Sequence, residues 1–102
     1  MAVEVTARKF QGLSASAPTF ATVGAASAVV LARNAARKGA VFVNTSTNRI
    51  SFGIGVAAVL DRGITIYGNG GVWEMDEHSY SVEAIHAIAS AAGSNLTLQE
   101  WS

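Results

Sequence analysis

At 102 residues the chain is long enough for one domain with a single core. Half of it is hydrophobic and only 14% is charged, below the roughly 25% usual for globular proteins. A formal net charge of zero excludes a nucleic-acid partner held by bulk electrostatics, and the absence of cysteine excludes disulfides and thiolate metal sites. Alanine, glycine, serine and threonine take the place of the missing charges. Such a surface suits contact with other protein, and it also suits an ordinary small domain with few charges.

The N-terminal stretch MAVEVTARKF has an acid at Glu4 and no apolar core, so it predicts no secretory leader. No run approaches the length of a membrane span, and Arg33 closes the small-apolar stretch Gly24 to Ala32. Val3 and Val5 alternate with Glu4 and Thr6, which predicts a first strand over Val3 to Phe10. Gln11 to Gly24 is rich in small residues and carries the single proline, Pro18. It reads as extended, with at most a short strand near Phe20 to Val23. Residues 1–24 are therefore expected to be an arm or edge segment that orders against a partner, and residues 25–102 the folded domain.

Ala25 to Lys38 has high helix propensity, yet Val29-Val30-Leu31 is a short apolar run. A strand over Ser27 to Ala32, a turn over Arg33 to Lys38 and a strand over Gly39 to Asn44 are expected, with a helix as the alternative. Ala40 to Val43 is β-branched and aromatic, Asn44 to Asn48 is turn chemistry, and Ile50, Phe52 and Ile54 alternate with Ser51 and Gly53. Together these predict a β-hairpin with the Ile/Phe face in the core. Gly53 and Gly55 mark a bulge or a close approach of another backbone. Val56 to Leu60 is an apolar link, Asp61-Arg62-Gly63 a turn, and Ile64 to Tyr67 a strand with Ile64 and Ile66 inward. Gly68 to Gly71 is a turn that needs positive φ at more than one position, and Val72 to Met75 is a strand.

Ser81 to Ala92 carries both helical spacing (Val82, Ile85, His86, Ala89) and a strand reading over Ala84 to Ala89 with a bulge. The turn at Ala91 to Asn95 and the terminal strand from Leu96 to Glu100 favour the strand. Six to eight short strands at roughly ten-residue spacing define an all-β chain, a single small β-sandwich or jelly roll.

Catalytic chemistry is hard to assemble from these residues. Asp76-Glu77-His78 places three ligand types in a row, but neighbours on an extended chain point to opposite faces and cannot close a metal site alone. No G-x-S-x-G elbow accompanies the serines and the two histidines, and the glycine cluster at Gly68 lacks the Lys-Ser/Thr ending of a phosphate loop. No enzyme activity, cofactor or metal is expected. Four residues remain as candidate contact points. Tyr67 and Trp73 flank the glycine turn, where exposed aromatics can stack on sugar rings, although core or subunit packing explains such residues too. His86 reads as half-buried or interfacial, and Trp101, at the end of the chain, as an intersubunit anchor. All seven basic residues lie in the first two-thirds and most acids in the last third. This gives a polar axis if the groups separate in space and a mixed surface if the strands interleave.

Several segments resemble a pattern of small tailed-bacteriophage virion proteins. They are Val30-Leu31-Ala32, Asn34, Arg37-Lys38, Val41 to Asn44, Ser46, Ile50, Gly53 and Gly55. The likeness continues through Gly63-Ile64, Ile66, Gly70-Gly71, Glu74, Ala84-Ile85, Ala87 to Ala89, Gly93 and Leu96 to Leu98. It spans roughly residues 29 to 100 and consists of turn glycines, Asn-Ser turns and apolar strands. The resemblance is to capsid cement (decoration) proteins of sandwich or jelly-roll fold. It implies a structural protein, made in the host cytoplasm, that sits on the outer capsid surface of the virion. It would clamp adjacent copies of the major capsid protein and self-associate as a dimer or trimer at symmetry axes, without direct nucleic-acid or membrane contact. The alternative within the same resemblance is a carbohydrate- or receptor-binding module of a phage fibre or tail.

Overall fold

The computed structural model describes residues 15–102; the strand expected over Val3 to Phe10 lies outside the described residues. Within them the chain forms eight strands: β1 (Thr19–Val23), β2 (Ala28–Leu31), β3 (Gly39–Asn44), β4 (Ile50–Ile54), β5 (Thr65–Ile66), β6 (Gly71–Met75), β7 (Ile85–Ala89) and β8 (Ser94–Trp101). They make two four-stranded antiparallel sheets, ordered β1-β8-β3-β6 and β2-β7-β4-β5. Eight strands in two packed sheets, with the chain crossing repeatedly from one to the other, is the jelly-roll form of a β-sandwich.

Both helix alternatives give way to strands, β2 and β7, which pair with each other antiparallel, and the inward residues of β7 repeat every second position. Ile85, Ala87 and Ala89 are buried while His86 and Ile88 between them are half-buried. The register shift in this part of the sheet falls on β2, between Val29 and Leu31, while β7 pairs with β4 without interruption.

Two expectations are overturned: Ile54, expected on the core face with Ile50 and Phe52, is 40% exposed at the end of β4, and the predicted hairpin does not form. The segments at 39–44 and 50–54 are both strands, but they do not form a hairpin. β3 pairs with β6 and β8, and β4 pairs with β5 and β7 in the opposite sheet. The turn between them is an arch built on Asn44, which is fully buried. Its amide donates to the carbonyls of Asn48 (2.6 Å) and Ile66 (3.3 Å), and its Oδ1 accepts from the Ser46 backbone N–H (3.0 Å) and hydroxyl (2.6 Å). This satisfies the arch internally, so Phe42 of β3 and Phe52 of β4 meet across the core from opposite sheets, their rings tilted by 53°, rather than side by side in one sheet. β7 and β8 are divided between the sheets in the same way.

The core lies between the sheets and includes Phe42, Ile50, Met75, Ile85 and Leu96, all essentially without solvent contact. Each such side chain contributes about 1.5–3 kcal/mol by leaving water. Phe42 stacks on Trp73 at 4.7 Å between ring centroids, and Phe52 closes the trio at 5.4 Å from Phe42 and 4.9 Å from Trp73.

The segment between β4 and β5 folds back over the outer side of its own sheet. Its Val56 and Ala57 backbone occupies the space where a Cβ on Gly53 would stand, which is the close approach expected there. The Ala58 N–H donates to Ser27 Oγ (2.8 Å) and the Asp61 N–H to Ser51 Oγ (2.8 Å). Ser51 and Gly53 are buried under this cover although they face away from the core.

Candidate functional site

With the β4–β5 segment lying over the sheet that contains β4, the broad face left to solvent belongs to the sheet β1-β8-β3-β6. Its cross-strand register aligns Phe20, Thr97, Val43 and Val72 in one row across all four strands. Phe20 is 66% exposed and Val72 56% exposed at the two edges of the row. Between them a shallow depression of about 130 Å³ is lined by Pro18, Thr19, Val41, Val43 and Thr97. Among the described residues, Glu74 is the only acid that the strand alternation places on this face near the row, and it pairs across from Val41. Apolar atoms on a flat, sparsely charged sheet surface are suited to contact with another protein.

β1 itself pairs with β8 over its whole length, so residues 19–23 form an edge strand of the sandwich. Ser16 extends this contact through its N–H to the Glu100 carbonyl (2.8 Å), and Ala15 bridges to Trp101.

The four candidate residues separate. Trp73 faces the core as part of the aromatic trio, because it is two residues from buried Met75 on the same strand face. Its ring is therefore no stacking platform for a ligand. Tyr67 is 71% exposed at the end of β5. His86 sits on the outer face of the other sheet, paired opposite Val29 and Gly53. The Trp101 ring is half-buried and lies directly against the Gly39 backbone. The remaining faces of Trp101 and His86 are partly open.

Among the described residues, basic and acidic groups pair rather than separate into poles. Arg33 pairs with Glu83 (3.3 Å) and Arg37 with Glu100 (2.8 Å). Arg37 is wholly buried, and its guanidinium also donates to the carbonyls of Ser81 (2.9 Å), Glu83 (2.8 Å) and Ala32. It fastens the ends of β2 and β8 to the loop before β7, a role with no periodic signal in the sequence. Among the described residues, no three histidines, cysteines or acids gather in a way that could hold a metal ion. Asp76 caps its own loop, accepting from the His78 backbone N–H (2.8 Å) and the Ser79 hydroxyl (3.0 Å); these bonds, the first above all, hold its carboxyl below its ordinary pKa. His78 lies 3.7 Å from Glu77 with its side chain in solvent.

A second concavity was not visible in the sequence. Arg49, Asp61, Gly63, Thr65 and Tyr67 surround an open depression of about 520 Å³ beside β5. Arg49 and Asp61 form a bidentate pair, Nε–Oδ1 2.5 Å and Nη2–Oδ2 2.9 Å. The hydrogen bond to Arg49 lowers the pKa of Asp61, and the same bond raises that of Arg49, so both stay charged and cancel.

The architecture places the chain among the small all-β proteins built as two-sheet sandwiches. No family model and no curated protein matches the sequence. Among solved structures it is similar to a chain from the endospore appendages of Bacillus, described as forming a novel family of disulfide-linked pili. The TM-score is 0.54 at 13% identity, over 87% of this chain and 85% of that one. At that identity the likeness concerns the fold.

Proposed function

We propose that this chain is a structural protein of the virion, a cement protein that binds the outer surface of an assembled capsid and clamps adjacent major capsid subunits. The observation that carries this reading is the apolar row Phe20–Thr97–Val43–Val72 across an open sheet face. Its resemblance to phage virion proteins over residues 29 to 100 supports the same reading. A rigid two-sheet core keeps such a face flat. Each apolar Å² removed from water contributes about 25 cal/mol, so modest contacts repeated around a shell resist its local opening. Copies meeting at a symmetry axis associate as dimers or trimers that match the axis. The fold neighbour belongs to an appendage described as disulfide-linked pili. This sequence has no cysteine, so no disulfide formed by these residues links its copies.

The test is co-sedimentation with assembled shells and with free major capsid protein. The wild-type chain is expected to travel with the shells alone, and Phe20→Asp or Val72→Asp to remain in the supernatant. Equal binding by the wild type and both variants would overturn the reading.

A further inference from the structure

The depression beside β5 combines features that a protein contact does not require. Tyr67 holds its ring in water, 71% exposed, at a position where the backbone has little freedom. A Cβ on the next residue, Gly68, would stand 2.6 Å from the Thr47 carbonyl carbon and 2.7 Å from the Ser46 oxygen. The chain is thus pressed against the 45–48 arch on one side of the ring, and the Asn69 N–H donates to Ser46 (2.7 Å) just beyond.

The polar floor is fixed as firmly. Asp61 takes a left-handed backbone conformation, φ 64°, that its N–H bond to buried Ser51 holds in place. Ser51 in turn shares a 2.7 Å hydrogen bond with Thr65. Arg49 reaches Asp61 from the start of β4. The result is an aromatic wall beside a preorganised donor–acceptor pair with no net charge. A phosphate would meet the Asp61 carboxylate and an amine the Arg49 guanidinium, so both are disfavoured by like charge. A ring of hydroxyls with one apolar face fits both halves of the depression.

We propose that the depression bounded by Arg49, Asp61, Thr65 and Tyr67 binds a neutral pyranose sugar. Its C–H face lies on the Tyr67 ring, and its hydroxyls donate to Asp61 and accept from Arg49. The site is open at the sheet edge, so the sugar can be one unit of a longer glycan. It is separate from the apolar face of the opposite sheet and does not depend on that face binding a shell.

The experiment is a titration of the whole chain followed by amide NMR. The probes are the methyl glycosides of glucose, galactose, mannose and N-acetylglucosamine. At least one is expected to shift the signals of Arg49, Asp61, Gly63, Thr65 and Tyr67. Tyr67→Ala, at an exposed position that leaves the core untouched, weakens that response by about tenfold or more. Tyr67→Phe keeps the ring and keeps the binding. Tighter binding of an oligomer of the same sugar supports the site and assigns it to a glycan chain; equal binding supports it for the free sugar. No shift with any of these probes, shifts confined elsewhere, or an undiminished response in Tyr67→Ala would overturn the proposal.

Discussion

Arg37→Ala is expected to be among the most damaging single substitutions outside the hydrophobic core. The guanidinium has no solvent contact and serves four acceptors: the Glu100 carboxylate and the carbonyls of Ala32, Ser81 and Glu83. Alanine leaves all four without this donor. Breaking a buried ion pair by removing one partner costs about 3–5 kcal/mol. Glu100 is 20% exposed, so water can reach it in part, and the lower end of that range applies, about 3 kcal/mol. For a domain of this size that is a fall of roughly 12–24 °C in Tm. Arg37→Lys keeps the charge but not the planar fork, and falls between alanine and wild type. Arg33→Ala is the internal comparison, since its pair with Glu83 is 59% and 52% exposed and is worth at most about 1 kcal/mol. Equilibrium denaturation of the three variants gives the ranking directly. A loss below about 1 kcal/mol for Arg37→Ala would refute the view that this side chain ties the strand ends to the loop before β7.

Trp73→Ala should cost about 3–5 kcal/mol in the same assay, because it empties the stack on Phe42 and Phe52. Tyr67→Ala should stay within about 0.5 kcal/mol of wild type, and a large loss there would show that the ring is structural. The pKa of Asp61 is depressed by its bond to Arg49, so the pair contributes stability above the ordinary carboxylate range near about 4. That contribution is lost as pH falls through the lowered value. A carboxyl titration by NMR should find the Asp61 midpoint below the ordinary value and see it rise in Arg49→Gln; an unmoved midpoint would contradict the pairing. Gly53→Ala should destabilise the fold, since its Cβ would strike the Val56 and Ala57 backbone, and thermal unfolding will show whether it does.

The strands themselves were largely legible, and their partners were not. Ile50, Phe52 and Ile54 announce a strand through period two, but the same alternation serves a hairpin and a sandwich equally well. What decided between them was the buried Asn44 side chain, whose partners at Asn48 and Ile66 depend on where the chain goes next. Tyr67 and Trp73 looked equivalent beside their glycine turn. Counting back from Met75 along the strand would have put Trp73 on the inner face, and nothing comparable binds Tyr67. Arg49 precedes β4 and Asp61 lies within the β4–β5 segment that folds back on the sheet, so their pairing has no local signature. Arg37 sits in a turn whose composition suggests a solvated charge, and only the convergence of the Glu100 carboxylate and three carbonyls explains its burial.

The central claim is that this chain works as a repeated part of a shell. Quantitative mass spectrometry of purified particles tests it most directly. A cement protein is expected at a copy number comparable with that of the major capsid protein. A chain absent from particles, or present at the few copies typical of a tail, would contradict the account.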